Sequence, residues 1–287
     1  MLNQIKIITE LTKLSITIFV TVTTAFGYIA YAGVINSAII LPTLGILFLA
    51  CGSAAINHYQ ERNTDRLMDR TKSRPIPSGK IKASTVLFIA IFLAVSGSIM
   101  LFFGGGLLAL LLGILNLIWY NAIYTPLKKI TPFAIIPGSI VGALPPMVGW
   151  VSAGGDVFHP QILLIAIFFF IWQIPHFWLL LLLLDKDYQK AGFPTLTQIF
   201  NQQQLGRITF VWIIATAITG LLLPLFQISH NGYMNLSLLL AAVWLSYKSI
   251  SLTRSTVERT SYKFAFKNIN YFALFIVLMV SIDRLLA

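Results

Sequence analysis

The chain has 287 residues, of which 57% are hydrophobic and only 10% charged, with a mean hydropathy of +0.83. A water-soluble globular chain is about 25% charged, so this composition excludes a soluble enzyme or binding module and describes an all-α, multi-pass membrane bundle, read as one domain over residues 1–287. The net charge of +11 fits loops facing anionic head groups, and an anionic substrate, rather than nucleic acid.

The first residues, with Lys6, Glu10 and Lys13, lead into an apolar run that lacks a small-residue cleavage pattern, so the first span is expected to be retained. A spanning helix needs about 20 mostly apolar residues. That ruler gives nine spans, near 14–32, 38–56, 85–103, 106–123, 133–152, 161–184, 208–228, 233–251 and 268–286. With the N-terminus in the cytoplasm, every Lys and Arg except Arg284 falls in a cytoplasmic segment. This agrees with the positive-inside rule and expects a bacterial plasma membrane protein with both acid-bearing loops inside. Cys51 is the single cysteine, which excludes an intrachain disulfide and a cysteine-cluster metal site.

Just past the second span the charge pattern changes abruptly. In NHYQERNTDRLMDRTKSRPIPSG, Asn57 to Gly79, the residues Asn57, Glu61, Asp65 and Asp69 recur every four positions. On a continuous helix that spacing stacks four oxygen-bearing side chains on one face. Like charges at this spacing repel, so the stack gains little as a merely solvated helix. A Mg²⁺–diphosphate pair answers both signs: the four oxygen donors suit a hard cation, and Arg70, Lys72 and Arg74 can clamp phosphate oxygens. The sixth span ends in Asp185, Lys186 and Asp187, which could be an interfacial exit or the second half of the same cation cage.

His176, in WQIPHFW, is an intramembrane histidine and so a functional candidate; it could equally be satisfied by a neighbouring helix or by the carbonyl that Pro175 frees. Tyr120, Asn121 and Tyr124 could line a pocket below the cytoplasmic surface, although a single interfacial tyrosine is commonly an aromatic-belt residue. Lys128, Lys129 and Lys13 read first as topogenic anchors. The Gly- and Pro-rich run 137–150 permits close helix approach and a kink, and could open a cavity.

These blocks together resemble the UbiA superfamily of intramembrane prenyltransferases, and within it the branch that prenylates heme. The likeness runs nearly end to end. It rests on the Asn57–Gly79 block, on YTPLKKITP and GALPPMVGW, on QIPHFW, on DYQKAGFPTL, and on INYFALFIVLMVSID. The chain departs from the family in three places. Its first span opens TKLSIT, keeping Lys13 without the usual Pro and Arg. Glu61 and Asn63 stand where Asp is common, and Asp185 stands where an aromatic residue is usual.

The resemblance implies transfer of farnesyl from farnesyl diphosphate to a vinyl group of heme B, with Mg²⁺ as cofactor. It implies Asp65, Asp69 and Asp187 as catalytic acids, the metal being held by Asn57, Glu61, Asp65, Asp69 and Asp187. Arg70, Lys72, Arg74, Lys128, Tyr120, Tyr124 and His176 would contact substrate, and heme A synthase or oxidase assembly factors would be partners. Two rivals stay open: the same chemistry on an aromatic acid or quinone precursor, and a secondary transporter. The transporter fits less well, because coupling charges in transporters lie near the bilayer midplane.

Overall fold

The computed structural model describes residues 2–254 and 258–287, with side chains from residue 4 onward. An amphipathic helix α1 (Leu2–Leu11) precedes α2 (Leu14–Ala32), and Lys13 between them takes the left-handed conformation, φ 48° and ψ 48°. The long helix α3 (Ile40–Asp65) follows, and then α4 (Ala83–Ile118). At Gly106 the backbone reaches φ 78° and ψ −175°, which breaks α4 in two. The limbs fold back on each other so closely that a Cβ on Gly113 would collide with the Leu101 side chain.

A six-residue π-turn, Trp119–Tyr124, carries α4 into the short α5 (Thr125–Leu127). Beyond it lie α6 (Ile135–Gly138), α7 (Ile140–Ser152), α8 (Pro160–Lys190), α9 (Gln202–Leu225), α10 (Gly232–Ser249) and α11 (Arg259–Leu286). Among the described residues, eight helical segments are long and apolar enough to cross a membrane. One of them, 83–127, is the folded pair, so counting its two limbs gives the nine crossings that hydropathy expects.

Lipid tails supply no hydrophobic drive between helices, so close packing of small residues has to hold the bundle together. Gly27 on α2 lies against the Pro146 carbonyl of α7, and Gly149 on α7 lies against the Thr24 carbonyl of α2, with no room for a Cβ at either position. The Gly- and Pro-rich run is therefore used for intimate contact between α2 and α7. A cavity of about 350 Å³ lies elsewhere, in an apolar groove between α9 and α10 lined by residues such as Phe210, Ala217 and Tyr247.

The two acid-bearing loops that follow α3 and end α8 lie at one end of the bundle. The N-terminus of α2 is tied there to α3, and the turns after α3 are tied to the end of α8. At the opposite end Arg284 donates to the Tyr31 carbonyl, and Asp283 accepts the backbone N–H groups of His230 (2.6 Å) and Asn231 (3.1 Å).

Candidate active site

The C-terminal end of α3 carries Asn57, Glu61 and Asp65 on one face, as the four-residue spacing predicts, and all three are buried. The helix ends at Asp65, however, and Asp69 does not share that face. Met68 buries itself and Thr71 Oγ donates to the Asp65 carbonyl at 3.0 Å, winding the chain into tight turns. Asp69 consequently stands exposed, paired with Lys72 at 2.9 Å and with Lys190 of α8. Those two ammonium groups, Lys190 foremost, hold its carboxyl at about 2.

Asn57, Glu61 and Asp65 each have a basic partner from another part of the chain. Arg74 returns from the turns to place one guanidinium nitrogen 2.8 Å from both Asp65 oxygens. Lys128, just after α5, forms an ion pair with Glu61, and both side chains are largely buried. Burial by itself would lower the Lys128 pKa, but Glu61 and the nearby tyrosines outweigh it and push it up. Lys13 Nζ reaches Asn57 Oδ1 at 2.7 Å. Burial, with Arg74 next, pushes the Lys13 ammonium down to about 7, against the pull of Glu61. Lys13 and Lys128, which read first as anchors by position, thus stand against the acidic face of α3, and for Lys128 this agrees with the substrate contact that the resemblance implies.

The π-turn aligns the opposite wall. A wide turn releases backbone groups and often marks a functional site. Here the Asn121 carbonyl accepts from Gln60 Nε2 at 3.0 Å, and the Asn121 side chain accepts from Ser53 Oγ at 2.6 Å. Thr125 Oγ accepts from Asn57 Nδ2 at 3.2 Å. The same turn brings Tyr120 and Tyr124 together, ring centroids 5.7 Å apart, with Lys128 Nζ 5.6 Å from the Tyr124 ring.

The second acidic loop does approach the first. Asp187 Oδ2 accepts the Arg70 backbone N–H at 3.3 Å, while the Arg70 side chain is exposed. Asp185 is committed elsewhere: it accepts from Thr197 Oγ at 2.6 Å and from Gln189 Nε2 at 2.8 Å, pinning the turn after α8. His176 lies one aromatic step beyond Tyr124, through Phe177. It is satisfied by Asn270 of α11 rather than by the carbonyl freed at Pro175. Among the described residues, no three His, Cys, Asp or Glu side chains are gathered into a ready-made metal site.

Three buried or nearly buried bases, Lys13, Arg74 and Lys128, thus face two buried carboxylates, Glu61 and Asp65, at the mouth of an apolar bundle. A surplus of desolvated positive charge is costly unless an anion joins it. A membrane-embedded helical bundle with a cationic, oxygen-rich mouth above an aromatic wall is an intramembrane enzyme for substrates with an anionic head and an apolar tail. The chain belongs to the UbiA prenyltransferase family, whose model matches residues 18–274.

The protoheme IX farnesyltransferase of Oleidesulfovibrio alaskensis is 32% identical over 260 residues, covering 91% of this chain and 90% of that protein. The protoheme IX farnesyltransferase of Stutzerimonas stutzeri is 34% identical, covering 94% of this chain and 91% of that one. Among solved structures, a UbiA homolog from Archaeoglobus fulgidus bound to GPP and Mg²⁺ superposes with a TM-score of 0.68 at 14% identity, covering 98% of this chain and all of that one. A structure described for digeranylgeranylglyceryl phosphate synthase reaches a TM-score of 0.80 at 15% identity, covering 99% of this chain.

Proposed function

We propose that this enzyme transfers the farnesyl group of farnesyl diphosphate to a vinyl group of protoheme IX (heme B), releasing diphosphate and giving heme O. The single observation that carries the diphosphate half is the buried surplus of Lys13, Arg74 and Lys128 over Glu61 and Asp65. The heme half is supported by the relatives named protoheme IX farnesyltransferase that match over most of their length. In this reading residues 1–287 act as one domain in a bacterial plasma membrane, with the N-terminus and acidic loops cytoplasmic. Heme A synthase or oxidase assembly factors would take up the product.

The donor set suits a hard divalent cation, since Asn57, Glu61, Asp65, Asp69 and Asp187 offer only oxygen. These residues would hold Mg²⁺, which supplies charge neutralisation to the diphosphate leaving group. The chain's own residues supply the rest. Arg74, Lys128 and Lys13 exchange their carboxylate or amide partners for phosphate oxygens, stabilising charge as the allylic C–O bond breaks. Arg70 and Lys72, on the exposed turn, guide the head group inward. Tyr120 and Tyr124 present ring faces to the allylic cation beyond the diphosphate. Attack by the vinyl carbon forms the new C–C bond. The cation left beside the macrocycle takes a water oxygen, and loss of a proton from that water leaves the hydroxyl.

Membranes containing the enzyme, incubated with farnesyl diphosphate, heme B and Mg²⁺, are expected to yield heme O by mass. Product from an aromatic acid and none from heme would overturn the acceptor assignment. Solute flux without any prenyl product would overturn the reaction class.

A further inference from the structure

Gln173 lies inside the apolar stretch of α8 and is only 8% exposed. No described residue hydrogen-bonds to its Oε1, which is itself buried. Between Gln161 and His176 it is the one α8 side chain that carries a carbonyl oxygen. A buried amide carbonyl without a partner bears the full cost of its desolvation, so this position calls for a donor.

Two glycines fix where that oxygen sits. A Cβ on Gly138 would meet the Tyr124 ring, and a Cβ on Gly142 would collide with Gln173 Oε1. Gly138 and Gly142 are four residues apart across the α6–α7 junction, as Gln173 and Phe177 are on α8. Phe177 in turn lies 6.2 Å from Tyr124. Two layers result. Tyr124, Phe177 and Gly138 make the one nearer the mouth, and Gln173 with Gly142 makes the next, one helical turn or about 5.4 Å deeper.

The reaction proposed above has a use for an acceptor at that depth. Attack by the terminal vinyl carbon leaves a cation on the carbon beside the macrocycle, and two fates compete for it. Loss of a proton from the neighbouring CH₂ group gives an alkene, whereas capture of a water oxygen gives the hydroxyl of heme O. We propose that Gln173 Oε1 holds that water, accepting one O–H so that an oxygen lone pair faces the cation. The C–O bond forms from this lone pair, and the other O–H gives its proton to the diphosphate released in the first step. The assignment rests on heme being the acceptor. A water fixed one turn below the tyrosine layer is held away from the allylic carbon, so it meets the second cation and not the first.

The test is the product distribution of Gln173→Leu, which keeps the size of the side chain and removes the acceptor. Purified wild type and variants in lipid nanodiscs are given farnesyl diphosphate, heme B and Mg²⁺ in heavy-oxygen water, and the products are separated by mass. The wild type is expected to give heme O carrying one labelled oxygen. Gln173→Leu is expected to keep farnesyl transfer but to form the alkene, lighter than heme O by one water, with the hydrated-to-dehydrated ratio falling roughly 10-fold or more. Gln173→Glu restores an acceptor and is expected to return the hydroxyl product. A merely structural role would lower total turnover and leave that ratio where it was. Heme O as the sole product of Gln173→Leu, alkene from Gln173→Glu, or loss of all prenyl product in a folded Gln173→Leu would overturn the proposal. If Gln173→Leu does not fold, the more flexible Gln173→Met is read by the same ratio. Absence of farnesylated heme from the wild type would overturn it together with the acceptor reading. Farnesylated heme from the wild type without the labelled hydroxyl would overturn the water assignment and leave the acceptor reading standing.

Discussion

Lys13 and Asn57 meet through a 2.7 Å hydrogen bond although 44 residues separate them in the chain. That contact joins the start of the first span to the acidic face of α3, and it brings a residue that resembles a topogenic anchor into the candidate site. A hydrogen bond to a charged group contributes about 1.5–3 kcal/mol. Lys13→Met is therefore expected to lower kcat/KM for the prenyl diphosphate by about 10- to 100-fold, with Lys13→Arg retaining more. Steady-state kinetics at saturating acceptor would measure this, and an unchanged kcat/KM in Lys13→Met would remove Lys13 from the site.

Arg74 and Asp65 form a buried pair, the carboxylate being inaccessible to solvent. Removing one partner of such a pair costs about 3–5 kcal/mol, because the other charge is left desolvated and alone. Asp65→Asn should abolish turnover, and Arg74→Met should lower the unfolding temperature. Asp65→Asn combined with Arg74→Met should recover part of that stability. Thermal unfolding in detergent would decide it, and strictly additive losses would argue against a direct pair.

Because Lys128 and Arg74 already occupy Glu61 and Asp65, a divalent cation arriving alone must displace two ammonium-type partners. A diphosphate gives those bases somewhere else to go. Metal and diphosphate are therefore expected to reinforce each other's binding by about 5- to 150-fold, the ordinary range for coupled sites. Mn²⁺ titrations followed by electron paramagnetic resonance, with and without a non-hydrolysable prenyl diphosphate analogue, would measure the coupling. Equal Mn²⁺ affinity in both conditions would contradict it.

Gly106 turns the two limbs of α4 with φ 78° and ψ −175°, and a Cβ there would meet nothing within 4 Å. Gly106→Ala thus tests backbone strain without a clash and should cost about 1–3 kcal/mol. Gly113→Leu instead fills the seam between the limbs against Leu101 and Leu49, and overpacking of this kind typically costs about 1–3 kcal/mol as well. Thermal stability of the two variants separates the effects: a neutral Gly106→Ala would mean the turn is relaxed without glycine.

What was legible in the sequence is what local periodicity and transfer free energy control. Hydropathy located the spans, including the two limbs of α4, because a bilayer imposes the same length on each crossing. The four-residue spacing placed Asn57, Glu61 and Asp65 on a common face, because 3.6 residues make a turn wherever the helix continues. The same rule failed at Asp69, since spacing says nothing about where a helix stops, and burial of Met68 together with the Thr71 bond to Asp65 ended it one turn earlier.

Tertiary packing decided the counter-charges and the partner of His176. Lys13 reaches Asn57, Lys128 reaches Glu61, and Asn270 meets His176 across 94 residues. No local pattern encodes such partners. A buried charge or ring nitrogen must be satisfied by whichever side chain the packed helices bring within about 3 Å. The residues alone thus determined a nine-crossing helical bundle with an oxygen-rich rim, and the resemblance of its motifs supplied the prenyltransferase class. Only the folded chain decided which base answers each acid, because desolvation penalties exist only once the helices have closed around them.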